Sequence, residues 1–235
     1  MKPSISGAAG LGFAALFRGV KALRPDRPIH PAGVALTGTV ERSPTSTGSG
    51  IRWIDSPGTG AVTGRLSRSL GTPPGCPDIL GLALRITTAT GHFDLLLAST
   101  GMSRAGRWLL LPRRHAGTSA FSSLMPFKGT NGPVLLAAHA DGTGMRLPAS
   151  PEVFQKALGA GTWILGLYHG TPTGPWTRFG TLSLATDPEI TDTKTRFDPT
   201  THPLPGAGTY NWATNLRAPA YTTARIPPTH PHDGH

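Results

Sequence analysis

Apolar residues in this chain recur mainly at every second position, in short runs separated by glycine, proline and polar turn residues. Strict alternation marks a strand with one face buried. Residues 33–40 place Val34, Leu36 and Val40 at even spacing, and residues 61–67 read as a second strand. The runs at 79–87 and 92–98 flank Ala89-Thr90-Gly91, which reads as a hairpin turn. Further strands are predicted at 108–111, 133–138, 162–169 and 178–185. One helix is well marked, with Ser150 as its cap, Pro151 at its first position and Gly159 at its end. Eight such strands, several joined by short loops, favour an antiparallel sheet closed into a barrel, because closure leaves no unpaired edge. The fold class is therefore mainly β (α+β): a closed antiparallel β-barrel of about eight strands with a few flanking helices.

The ends read differently. Residues 1–24 form an expected N-terminal amphipathic arm: the apolar stretch from Ile5 to Phe17 is broken by glycine and followed by Arg18 and Lys21. It is too short to span a bilayer, and no clear small-x-small cleavage site marks a leader. Weak contact of this arm with a membrane surface stays open as the sharper alternative. Residues 25–226 read as a single domain, and 227–235 as a polar, proline-rich disordered tail.

Composition sharpens this picture. With 31 Gly and 24 Pro in 235 residues, turns are frequent, as a many-stranded fold needs. The net charge of +10 comes mostly from arginine, whose fork suits carboxylate or phosphate. The arginines are scattered and no nucleic-acid motif accompanies them, so nucleic acid is not the expected partner. The single Cys76 excludes an intrachain disulfide and a thiolate cluster, and points to a reducing, cytoplasmic location. His92, His115, His139, His169 and His202 have no partner at metal spacing and read as structural or solvated. No H-E-x-x-H, G-x-S-x-G or phosphate loop appears in a supporting context, which leaves zinc proteolysis, serine hydrolysis and nucleotide chemistry without support.

Near the C-terminus, Arg217 and Tyr221 are four residues apart, so in a helix both lie on one face. A guanidinium beside a phenol favours the phenolate, a good ligand for ferric iron. Taken alone, such a pair is commonplace, and an amphipathic helix accounts for it without a metal.

The order of several stretches adds to that pair. Arg27-Pro28-Ile29-His30-Pro31-Ala32-Gly33 resembles the distal segment of the haem catalases, Arg-x-x-His-Ala-x-Gly. Arg65-Leu66-Ser67 is similar to the Val-Arg-Phe-Ser strand of that family. The stretch from Asp78 to Ile86 resembles Asp-Pro-Arg-Gly-Phe-Ala-Val-Lys-Phe, and Gly91-His92-Phe93-Asp94-Leu95 resembles Gly-Asn-x-Asp-Leu. Arg196-Phe197-Asp198-Pro199 and Leu204-Pro205-Gly206 resemble the run preceding the family's Arg-x-x-x-Tyr helix, where Arg217 and Tyr221 fall.

The resemblance implies a short, divergent catalase-related protein with a C-terminal haem-ligand helix, carrying haem b with ferric iron. Tyr221 would be the iron ligand, with Arg217 and Arg225 lowering its proton affinity. His30 would be the general base toward peroxide, Ser67 would fix its tautomer, and Arg27 and Arg65 would hold the propionates. Two departures matter. Pro31 restricts His30 to extended geometry, and Ala98 stands where the family has an asparagine that polarises peroxide. Ser99 or Thr100 would compensate only in part. Leu96, Ala98, Phe121, Leu124, Met125 and Phe127 are candidate pocket positions, with core packing the commoner role for Phe121, Met125 and Phe127. The expected activity is that of a haem peroxidase acting on hydrogen peroxide or organic and lipid hydroperoxides with an organic electron donor, and weak as a catalase. The alternative is a non-enzymatic barrel that binds haem or lipid. Homodimer assembly stays open.

Overall fold

The computed structural model describes residues 32–45, 47–141, 145–186, 190 and 192–210. The N-terminal arm, the C-terminal tail and the expected ligand helix lie outside these residues. Among the described residues nine strands form in order: β1 (Ala32–Arg42), β2 (Gly58–Arg68), β3 (Leu80–Thr88), β4 (Gly91–Thr100), β5 (Ala120–Ser122), β6 (Phe127–Gly129), β7 (Gly132–His139), β8 (Trp163–Gly170) and β9 (Trp176–Thr186). Two helices accompany them, α1 (Arg52–Asp55) and α2 (Pro151–Leu158).

Each strand pairs antiparallel with its neighbour, in the order β5-β4-β3-β2-β1-β9-β8-β7, and β5 pairs with β7 to close the ring. Eight strands thus make the closed barrel, and β6 adds to β7 outside it. Closure satisfies the backbone donors and acceptors that an open sheet would leave at its edges. At the β1–β9 junction the backbones approach so closely that a Cβ on Gly38 would lie 1.9 Å from the Ser183 carbonyl oxygen.

Alternation sets the two faces. Val34, Leu36 and Val40 of β1 point inward, as do Leu82, Leu84 and Ile86 of β3 and Phe93, Leu95 and Leu97 of β4, all buried. Apolar burial of this kind is worth about 1.5–3 kcal/mol per side chain. The interior is filled by rings as well as leucines: Trp163 meets Phe154 and Phe121 edge-on at 5.3 and 5.9 Å. One end is plugged by α1, whose Trp53 stands edge-on to Phe93 at 4.8 Å and to Phe179 at 6.0 Å. Arg42 lies over that indole and donates to the carbonyls of Trp53 and Ser56.

Helix α2 begins after Ser150, carries Pro151 in its first turn and ends at Gly159, whose φ of 52° suits glycine. The strand expected at 108–111 does not form. A 3-10 turn spans Gly106–Trp108, and only Leu110 bridges to Thr100. Arg107 accounts for the difference: its guanidinium is buried and donates to the carbonyls of Thr171 at 2.6 Å and Gly174 at 2.9 Å, while Trp176 lies beneath it at 4.4 Å. These bonds hold the turn against the β8–β9 loop, and Pro112 follows without a donor. The vacant ring position is taken by β5.

Candidate functional site

The outer face of β1–β5 carries side chains of unusual smallness at one level. The register pairs Gly33 with Ser67, Ser67 with Gly81, Gly81 with Ala98, and Ala98 with Ser122. Residues paired directly across a sheet share a face. Five strands, about 19 Å at the usual interstrand spacing, are therefore crossed by a row with no side chain larger than serine. The next row reads Ala35, Arg65, Ala83 and Leu96, and the one after it Thr37, Thr63, Arg85 and Asp94. The result is a floor of small side chains bordered by Arg65 and Arg85, its β5 end covered where the buried Ser122 hydroxyl donates to the Arg107 carbonyl.

Two predicted site positions, Ser67 and Ala98, come together in this row with only Gly81 between them. Gly33, which opens the row, lies three residues after His30. The Ser67 hydroxyl is buried and lies 3.4 Å from the Gly81 carbonyl oxygen, to which it donates. Ser99 is not brought to the row. It shares the register position of Phe121 in the core, and its hydroxyl accepts from the Leu80 amide at 3.0 Å and donates to the Leu111 carbonyl at 2.8 Å. Alternation turns it away from Ala98. Thr100 does share the face of Ala98, and its fully buried hydroxyl has no hydrogen-bond partner among the described residues. Of the other candidate pocket positions, Phe121 is core, Leu124 and Met125 are buried, and Phe127 packs against the core.

Arg65 projects onto Gly33, where an added Cβ would lie 2.7 Å from the guanidinium carbon. Its Nε and NH2 donate to the two oxygens of Asp192, both at 2.7 Å. Burial alone would push the Asp192 carboxyl up. The Arg65 hydrogen bond and charge, with the N–H groups of Thr193 and Gly33, instead hold it below the ordinary carboxylate value. Asp192 begins a strap that runs across the strands below the floor. Arg85 donates to the Arg196 carbonyl at 2.8 Å and lies over Phe197 at 5.8 Å. Asp94, fully buried, accepts both arms of Arg85 at 2.7 and 2.8 Å and the Asp198 amide at 2.6 Å. The Asp94 amide donates to the His202 carbonyl, and the His92 and His202 rings lie 4.3 Å apart. The strap is thus pinned at β1 and β2, then β3, then β4.

His30, Arg27, Arg217, Tyr221 and Arg225 lie outside the described residues. Of the three tyrosines in the chain, Tyr168 is unsuited to be a phenolate ligand. Burial, then the hydrogen bond to Asp141 and the charge of that carboxylate, push its pKa up to about 12, with Arg178 opposing. No group of three or more His, Cys, Asp or Glu side chains poised for a metal occurs among the described residues. A cleft with room for about 120 Å³ opens beside Ser49, Asn131, His169 and Thr171. It shares no residue with the small-residue row, and His169 is its one ionisable lining group.

Sequence reading did not single out Asp192 or Gly81. Gly81 stands inside the motif-like stretch from Asp78 to Ile86, but its place beside Ser67 and Ala98 depends on register. Asp192 is 127 positions from Arg65 and carries no local signal.

No family model matches the chain. No curated protein matches it either. Among solved structures, a bacterial catalase superposes with a TM-score of 0.52 at 13% identity, covering 86% of this chain. The fold is catalase-like. This chain spans 60% of the length of that catalase. No helix among the described residues is long and apolar enough to cross a membrane.

Proposed function

We propose that the chain is a haem-dependent peroxidase built on this catalase-like barrel, acting on hydrogen peroxide or on organic and lipid hydroperoxides. The observation that carries the reading is the row Gly33, Ser67, Gly81 and Ala98, whose small side chains would let a planar macrocycle approach the backbone closely. Arg65 at its border supplies a fork suited to a propionate. The donor set named from the sequence fits the same group: Tyr221 for ferric iron, with Arg217 and Arg225 favouring its phenolate, and Arg27 with Arg65 for the propionates.

Haem b, when bound, supplies the redox chemistry that passes two electrons from an organic donor to the peroxide. The residues of this chain handle protons and position. His30 takes a proton from the near oxygen of the hydroperoxide and returns it to the far oxygen as the O–O bond breaks, so that alcohol or water leaves. Ser67 orients that imidazole. Ala98 offers no hydrogen bond to peroxide and makes the surface beside it apolar, which favours a hydroperoxide with a hydrocarbon tail over hydrogen peroxide.

Titrating the purified chain with haemin tests the reading. A Soret band should appear at one haemin per chain, and Tyr221→Phe should shift or abolish it. With the ferric protein, a fatty-acid hydroperoxide and an organic donor should give turnover above that with hydrogen peroxide. Absence of a protein-specific Soret band would end the proposal, and a band without donor oxidation would leave a haem carrier.

A further inference from the structure

The strap is held by two kinds of pin. At β3 and β4 both charges, Arg85 and Asp94, belong to the barrel, and the strap contributes mainly backbone groups. At β1 and β2 the strap itself supplies the anion. Asp192 fills the Arg65 fork with two parallel bonds of 2.7 Å and also accepts N–H groups from Thr193 and Gly33. This is the donor set of a carboxylate site, and it adjoins the small-residue floor directly: Arg65 pairs with Ala35 and Ala83, and Gly33 opens the row. The pair is also the more open of the two, with the Asp192 side chain 36% exposed where that of Asp94 is fully buried.

We propose that Asp192 is a built-in competitor: its carboxylate occupies the Arg65 subsite, and a carboxylate-bearing ligand on the floor binds by displacing it. This rests on the reading of the floor as a porphyrin site and adds a device to it. Exchange of one carboxylate for another conserves the charge at Arg65, so the guanidinium is paired in both states. The competitor lowers apparent affinity by the fraction of molecules in which the fork is filled. It also discriminates, since a ligand lacking the acid gains nothing from displacing Asp192.

Iron-free protoporphyrin IX and its dimethyl ester separate this device from iron ligation, because neither requires Tyr221. Binding of each to the full chain is followed by porphyrin fluorescence, for wild type, Asp192→Asn and Arg65→Gln, with melting temperatures recorded alongside. Asp192→Asn should tighten the diacid about two- to fivefold, the scale of a partly exposed ion pair, and leave the ester unchanged. Arg65→Gln should remove the preference for the diacid over the ester. Equal or weaker diacid binding by Asp192→Asn, at any melting temperature, overturns the proposal while leaving the porphyrin site intact. If wild type and Asp192→Asn both fail to bind either porphyrin, the floor reading falls and the competitor with it. Binding by Asp192→Asn alone would be the strongest form of support.

Discussion

On the proposed function, Ala98 is the residue on which peroxide chemistry would turn. It sits on the floor two strands from Ser67 and carries no donor. Ala98→Asn should raise oxygen evolution from hydrogen peroxide by about tenfold or more, since one positioned donor in a reacting site is commonly worth about 100-fold. A Clark electrode measures it, and an unchanged rate would mean that the missing amide is not what limits dismutation. Gly81, between the two, tests the floor itself. Gly81→Leu should weaken haemin binding at least about tenfold while moving the melting temperature little, because its outward side chain adds nothing to the core. Ser67 and Ala98 each stand in a stretch that resembles the family's motif, and the register sets them in one row. Ser99 was misread because adjacent strand residues point to opposite faces, and motif order says nothing of which one faces the site.

Among the elements, the strap was legible only in its sequence, through Phe197, Asp198 and Leu204, and not in its route. Its fixation depends on the buried carboxylate of Asp94, which the resemblance merely placed in a strand. Asp94→Asn leaves Arg85 without its counter-charge, and should cost about 2–3 kcal/mol in urea denaturation. The same variant should speed tryptic cleavage at Lys194 and Arg196 in the native protein, with the barrel strands still resistant. Seven of the eight predicted strands were readable because alternation reports one buried face. The eighth, at 108–111, failed on a buried guanidinium: Arg107 finds its acceptors in a loop more than sixty residues away, and no local pattern encodes that. The three-residue strands β5 and β6 are too short to show a period.

For the whole molecule, pH acts through the end of the barrel opposite the strap's anion. Burial lowers the pKa of His169, against the opposing influence of Asp55 and a hydrogen bond with the Thr47 backbone, and its Nε2 has no hydrogen-bond partner among the described residues. The folded chain therefore holds it neutral where the unfolded chain binds a proton. Its contribution to stability is complete above about pH 6.5, the ordinary histidine value, and is lost as pH falls from there toward the folded pKa. The urea midpoint of wild type should drop between pH 7 and pH 5, and His169→Gln should flatten that drop. A barrel was foreseeable from the count of strands and turns, whereas the pairing of first strand with last, and of β5 with β7, is a property of closure that no segment announces.

The seam between β5 and β7 consists of three residue pairs, Ala120 with His139, Phe121 with Ala138 and Ser122 with Ala137. The β1–β2 pair has eleven. The β4–β5 seam is equally short, and a hoop parts at its shortest welds, so amide hydrogens at 120–122 should be the first of the ring to exchange with deuterium under native conditions. Because the buried Ser122 hydroxyl donates to the Arg107 carbonyl, parting there also loosens the turn that covers this end of the floor, and on the proposed function haemin loading should quicken under mild denaturant before the barrel melts.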